Sequence, residues 1–304
     1  MNPAERMSGM GGVLIAALLW GTTGTAATFA PGVSAVAIGA VAMGVGGMLQ
    51  ALIALRGIAR HRATLRHHWR MLLTGALAVA VYPLAFYASM HLAGVTVGTV
   101  ISIGSAPLLS ALIEYGLDGQ RLTRRWMTGA AAGVAGMVLL CLAESAHSSS
   151  TAQQSEVITG IALGLLAGLT YALYSWAARH LMQRGIPSRT AMGATFGFGG
   201  IMLMPVLFVT GAPLLASWNN AAVGIYMALV PMFIGYLCYG YGLARIPASM
   251  ATTITLLEPA VAAVLAVVIV GERLPALGWV GIGLIVACLL WITVPVKRRR
   301  LAQA

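Results

Sequence analysis

The sequence predicts an all-α integral membrane protein of ten transmembrane helices, arranged as two inverted five-helix repeats. Three observations carry that prediction. First, 59% of the 304 residues are hydrophobic and only 8% are charged, with a mean hydropathy of +0.88; soluble domains carry about 25% charged residues. Second, the apolar residues fall in runs of about 20, the length that crosses a bilayer as a helix. Third, a shift of 152 residues carries landmarks of the first half onto the second. Pro107 falls on Pro259, Gly119 on Gly271, Arg121 on Arg273, Leu122 on Leu274, Gly129 on Gly281 and Tyr87 on Tyr239.

In chain order the apolar runs are 11–30, 33–55, 71–91, 95–117, 126–143, 158–180, 190–210, 221–243, 248–270 and 276–295. The first has features of a secretory signal, with Arg6 ahead of it and Thr25-Ala26-Ala27 near its end. The repeat requires it, so it is read as a retained span. With the first segment inside, every arginine and lysine except Arg273 lies on the inner side. By the positive-inside rule both termini are cytoplasmic. The polar stretch 144–156, without lysine or arginine, becomes the longest outer loop.

Five spans per repeat, an odd number, force the two halves into opposite orientations. Gly119-Gln120-Arg121-Leu122 then lies inside and Gly271-Glu272-Arg273-Leu274 outside, which accounts for the exception to the charge rule. The expected organisation is one membrane domain over 1–304. Repeat one spans about 11–143, repeat two about 158–295, and a basic cytoplasmic tail covers 296–304.

Several function classes are disfavoured. The net charge of +11 and pI near 10.3 could suggest nucleic acid, but the basic residues sit in short loops between apolar runs, so no nucleic-acid partner is expected. The only lysine is Lys297, so no phosphate-binding GxxxxGK[ST] loop exists and no ATPase activity is expected of the chain. Zinc-binding motifs are lacking, and Cys141, Cys238 and Cys288 lie singly inside apolar runs. No metal and no cofactor are expected. Ser105 and His91 could serve an intramembrane hydrolase only if they met beside oxyanion donors; this is a distant alternative, and the chain is read as no enzyme.

Candidate site residues follow from what is costly in a membrane. Glu258 lies near the middle of the ninth run, and a charge at that depth costs about 2.5–3.5 kcal/mol on insertion scales. It is read as a coupling group, a substrate-amine acceptor, or a structural brace. Pro83, Pro107 and Pro259 each remove a backbone donor and are expected to interrupt helices. Glu114, near the inner end of the fourth run, is expected to snorkel or to pair with the arginines at 121–125. Trp20, Tyr82, Phe86, Tyr87, Tyr171, Tyr174 and Tyr239 lie inside spans rather than at their ends. With the Thr22 hydroxyl they are the expected substrate lining, and Tyr236 belongs to the same aromatic group. Gly160, Gly164 and Gly168 recur every fourth residue, as do Gly129–Gly133 and Gly193–Gly197, which predicts close helix packing. The basic stretch 56–70 is expected to face anionic lipid.

Together Leu18-Leu19-Trp20-Gly21-Thr22, Leu256-Leu257-Glu258-Pro259, Gly271-Glu272-Arg273-Leu274 and Gly278-Trp279-Val280-Gly281-Ile282-Gly283 resemble the EamA-type exporters of the drug/metabolite transporter superfamily. The resemblance covers nearly the whole chain. The sequence departs from the pattern where Ser105-Ala106-Pro107 replaces a Glu-Pro pair in the first half. The resemblance implies export of small organic metabolites across the inner membrane, with the aromatic amino acid branch nearest. The partners it implies are the substrate, an amino acid first, and membrane lipid, with no ATPase subunit. Inverted repeats with proline-containing helices suit alternating access around a mid-membrane site. The alternative is a multidrug or amphipathic-cation exporter using proton antiport through Glu258.

Overall fold

The computed structural model describes residues 3–145, 154–271 and 273–294. Most of the polar loop 144–156, Glu272 and the basic tail 296–304 lie outside the described residues. The described residues form helices and turns, with no strand. The helices are α1 (Pro3–Gly21), α2 (Thr23–Thr28), α3 (Ala35–Gly39), α4 (Gly46–Arg60), α5 (Arg62–His67), α6 (Trp69–Ala93), α7 (Val95–Asp118) and α8 (Arg124–Ser145). They continue as α9 (Gln154–Gln183), α10 (Ser188–Thr210), α11 (Trp218–Met227), α12 (Gly235–Leu243), α13 (Ala248–Ile254), α14 (Leu257–Leu265) and α15 (Ala276–Thr293). Wider π turns fill Ala40–Val45, Ala228–Ile234 and Ala266–Val270.

Nine stretches among the described residues are long and apolar enough to span a membrane. The sequence predicts ten. The difference is the run 126–143, which is present as α8, a 22-residue helix rich in alanine and glycine that is not among the nine. It packs along α15.

Small residues set the closest approaches. At the α8–α15 contact, a Cβ added to Gly136 would sit 2.7 Å from the Gly281 carbonyl oxygen, and one added to Gly281 would sit 2.5 Å from that of Gly136. The α4–α10 contact is built alike: a Cβ on Gly193 would lie 2.7 Å from the Gln50 carbonyl oxygen. Gly160 and Gly164 of α9 face Ala93 and Ser89 of α6, with Cβ positions 2.6 Å from the Ala93 nitrogen and 2.8 Å from the Ser89 hydroxyl. The glycine spacing therefore marks helix contacts, as the sequence predicts.

Gly119 and Gly271, related by the half-chain shift, close their helices in the left-handed region at φ 65° and 82°. A side chain is strained there, so glycine ends the helix cheaply at both turns.

Prolines act unequally. α6 runs on through Pro83 and α7 through Pro107, so neither interrupts its helix as the sequence predicts. A membrane helix tolerates the one lost bond when the rest of its ladder is intact. Before Pro259 the chain does open, at Thr255-Leu256 between α13 and α14. There the Leu256 N–H turns to the Thr253 carbonyl at 3.2 Å and the Glu258 N–H to the Thr255 carbonyl at 3.0 Å. The hydroxyls of Thr252, Thr253 and Thr255 bond the carbonyls of Ala248, Ser249 and Thr252 at 2.9, 2.6 and 2.9 Å. Threonine side chains competing for backbone acceptors, with a proline following, break the helix where a proline alone does not.

Candidate functional site

The centre of the bundle is aromatic. Trp20 from α1 lies 4.7 Å from Tyr236 and 5.1 Å from Tyr239, centroid to centroid, both on α12. Tyr171 and Tyr174 of α9 stack on each other at 5.2 Å, and Tyr82 of α6 reaches Tyr171 at 5.6 Å. Phe196 of α10 completes the group, 4.3 Å from Tyr236. Helical spacing puts each pair on one face, and tertiary packing turns those faces inward.

The polar ends of the buried aromatics bond one another or their neighbours. Tyr171 donates to the Thr255 hydroxyl at 2.8 Å. The Tyr174 and Tyr236 hydroxyls lie 2.9 Å apart, and those of Ser175 and Tyr239 lie 2.8 Å apart. The Trp20 indole donates to the Pro231 carbonyl at 2.8 Å, inside the π turn Ala228–Ile234, a widened turn of the kind often found at functional sites. The buried tyrosines thus form a hydrogen-bonded floor, and the Tyr171–Thr255 bond ties that floor to the helix opening.

Above the floor lies a cavity of about 60 Å³. Tyr82, Phe86 and Tyr87 line it from α6, Thr23 from α2, Met43 and Met232 from the π turns, and Glu258 from the first turn of α14. Glu258, Tyr82, Phe86 and Tyr87 are half-buried, open to this space. Gly39 gives the Tyr87 ring its room: a Cβ there would come 2.9 Å from the ring carbon Cδ2.

Of the eight lining residues expected from sequence, Tyr82, Phe86 and Tyr87 face this cavity. Trp20, Tyr171, Tyr174 and Tyr239 are in the floor, at most 4% exposed. Thr22 faces a separate cavity of about 390 Å³ with Phe29, Asn219 and Tyr226, and its hydroxyl lies 2.7 Å from that of Tyr226. Tyr87 and Tyr239, equivalent under the repeat shift, have unlike surroundings: one borders the cavity and the other is fully buried. Sequence reasoning missed Phe196, Met43 and Met232. Phe196 lies in a glycine-rich stretch two residues before Phe198, without the i, i+3 or i, i+4 spacing of Tyr171–Tyr174 and Tyr82–Phe86.

On the side of the floor where the arginine-bearing segments lie, two charged side chains hold the chain where α12 passes into α13. The Glu114 carboxylate accepts the N–H groups of Ala248 and Ser249 at 2.6 and 3.2 Å, together with the Ser249 hydroxyl. Arg179 Nη1 donates to the carbonyls of Leu243 and Ile246 at 2.6 and 2.5 Å. The carboxylate thus caps the start of α13 and the guanidinium caps the end of α12, each placed to complement the helix dipole. This corrects the expectation for Glu114. It is 1% exposed and bonded to α13, not to the arginines at 121–125. The start of α13 follows Pro247, which provides no side-chain cap, so its free N–H groups attract the acid. Nearby, Trp176 donates to Asp118 at 2.9 Å.

No group of three or more potential metal ligands occurs among the described residues. The arrangement is an aromatic-walled space beside an opened helix, with the Glu114 and Arg179 contacts at the linker between α12 and α13.

Comparison with known proteins gives this geometry its setting. The EamA-like transporter family matches the chain twice, over residues 7–142 and 158–294. The chain is 30% identical to a Bacillus subtilis protein described as the uncharacterized transporter YwfM, over 96% of each chain. It is 28% identical to a probable terminal-alkyne amino-acid exporter of Streptantibioticus cattleyicolor, over 86% of this chain and 89% of that one. Similarity to the threonine/homoserine exporter RhtA of Escherichia coli, 26% identity, covers 46% of this chain and 47% of that protein. A solved crystal structure shares the fold with a TM-score of 0.75 at 20% identity, covering 94% of this chain and 96% of that one. The chain is a multi-pass membrane protein and belongs to the EamA-like transporter family.

Proposed function

We propose that this transporter exports small organic metabolites, hydrophobic or aromatic amino acids first, by alternating access at the inner membrane. The observation that carries the proposal is the aromatic-walled cavity beside the opened ninth span, closed on its arginine side by Glu114 and Arg179. At about 60 Å³ it is well below the 300–1,000 Å³ of sites that hold drug-sized ligands. The space must therefore enlarge as the halves rock. The relatives named as exporters of amino acids support the substrate class.

The architecture proposed is ten spans in two inverted repeats, about 11–143 and 158–295, with α8 as the fifth span and both termini cytoplasmic. Three findings support it. The family matches once in each half. The left-handed glycines 119 and 271 end equivalent helices. The helix pairs also follow a two-fold pattern: α4 packs on α10 and α8 on α15, which are self-equivalent pairs, while α6 packs on α9 as α12 packs on α1.

In this reading Tyr82, Phe86 and Tyr87 contact substrate directly, and Trp20, Tyr171, Tyr174 and Tyr239 hold the floor that moves with it. The protein acts without cofactor, ATPase subunit or covalent chemistry, so it is no enzyme. A second reading, export of amphipathic cations by proton antiport, draws on the Glu258 carboxylate bordering the cavity.

Efflux from proteoliposomes separates these readings. Vesicles are loaded with labelled phenylalanine, threonine or a quaternary ammonium dye, and release is followed with and without a pH gradient. The leading reading expects amino-acid release. Release of the dye alone would replace it with the second, and phenylalanine release indifferent to the gradient would remove proton antiport.

A further inference from the structure

Glu258 stands out among the acidic residues for what it lacks. Among the described residues its carboxylate has no hydrogen-bond or ion-pair partner, whereas Glu114 and Asp118 are both bonded. Its backbone is firmly held all the same. The N–H bonds Thr255, and the carbonyl lies against Gly21, where an added Cβ would come within 2.9 Å. The side chain therefore projects from a fixed point into the cavity.

The cavity's other walls complement that carboxylate. No arginine, lysine or histidine lines it. The rings of Tyr82, Phe86 and Tyr87 border it, and the Tyr82 and Tyr87 hydroxyls have no hydrogen-bond partner among the described residues. An unpaired carboxylate among aromatic faces is the chemistry that holds a cationic nitrogen, through charge-assisted hydrogen bonds and cation–π attraction. The two phenol hydroxyls can serve a second polar group on the same molecule. A volume of about 60 Å³ takes an ammonium group with a water or two, but not the body of an amino acid.

We infer that Glu258, with Tyr82, Phe86 and Tyr87, forms the subsite for the substrate's ammonium group. The substrate class is a small molecule carrying a protonated amine, and the hydrophobic body lies outside this subsite. The inference rests on the transport reading above for the place of the cavity on the path, but it concerns binding. It can fail while export stands.

The two sources of an ammonium group, a zwitterionic amino acid and a simple amine, are separated by a matched series. Binding to the full-length protein in lipid nanodiscs is measured calorimetrically for phenylalanine, phenethylamine and 3-phenylpropionate, and for leucine, isopentylamine and 4-methylpentanoate. The subsite predicts binding by at least one amine-bearing compound of a set and a loss of tenfold or more for its des-amino acid. Glu258→Gln should remove the same tenfold or more for the amine-bearing compounds only. Thermal unfolding checks that the variant is folded, and Glu258→Asp, which keeps the charge on a shorter arm, should retain measurable binding. Amino acids binding better than amines would assign the tyrosine hydroxyls to the substrate carboxylate; amines binding as well or better would identify simple cations as the ligands. Equal affinity of wild type and Glu258→Gln for the amine-bearing compounds, or des-amino acids binding as tightly as their parents, would overturn the subsite. So would binding by none of the amine-bearing compounds. Phenylalanine efflux from proteoliposomes undiminished in Glu258→Gln would overturn it while leaving export intact.

Discussion

Glu114 accepts the backbone N–H of Ala248 at 2.6 Å across 134 residues of chain, joining the C-terminal end of α7 to the first turn of α13. Arg179 grips the chain five and two residues upstream of Ala248, at the carbonyls of Leu243 and Ile246. The linker joins α12 to the half-helix that ends at the opening before Glu258. In the transport reading proposed above, a path from the arginine side to the cavity opens by moving this segment, and its anchors then set the cost of opening.

Glu114→Ala should leave two buried N–H groups and the Ser249 hydroxyl without their acceptor, costing about 1–3 kcal/mol or more for a charged partner. Glu114→Gln keeps one carbonyl acceptor and should cost less. The check is thermal unfolding in detergent. A cysteine placed at Ser188, which lines the cavity of about 330 Å³ beside Arg179, should react faster with a membrane-impermeant maleimide in Glu114→Ala than in the parent. Equal labelling rates would mean the contact does not hold the closure.

The glycine contacts discriminate packing from mere composition. Gly136→Val and Gly281→Val should destabilise the α8–α15 pair severely, because the first atom added would already overlap a backbone oxygen. Gly11→Ala and Gly24→Ala meet nothing within 4 Å and should change unfolding by well under about 1 kcal/mol. The measurement is the midpoint of unfolding for all four variants, and a similar midpoint across them would count against the interface described.

Floor and wall tyrosines should respond differently. Tyr171→Phe removes one hydrogen bond to Thr255 and should cost about 0.5–1.5 kcal/mol of stability while leaving the order of substrate preference unchanged. Phe86→Ala enlarges the cavity and should alter that order, favouring bulkier ring substituents in competition efflux assays. A change of preference in Tyr171→Phe, or none in Phe86→Ala, would reverse the assignment.

The opening before Pro259 gives a fourth test. In Pro259→Ala a restored N–H can take the Thr255 carbonyl, which now accepts from Glu258. The helix should straighten there and efflux should slow several-fold. Pro107→Ala acts within a helix that is already continuous and should leave efflux within about twofold of the parent. Paired initial-rate measurements at equal protein density in vesicles would show whether the two prolines differ.

The sequence by itself determined the membrane class, nearly every span, the turns at Gly119 and Gly271, and the glycine contacts. These depend on local properties: the length of an apolar run, the conformational freedom of glycine, and the fourfold spacing of small residues. Tertiary structure decided what the polar and aromatic groups do. Tyr171, Tyr174 and Tyr239 look no different in sequence from Tyr82 and Tyr87. They are floor rather than wall because Thr255, Tyr236 and Ser175, 84, 62 and 64 residues away, take their hydroxyls. Glu114 reads as a surface acid until the free N-terminus of α13 is brought against it. Glu258 keeps an unpaired carboxylate because no donor was brought to it, and only the packing of α2, α6, α14 and two π turns around one small space could settle that.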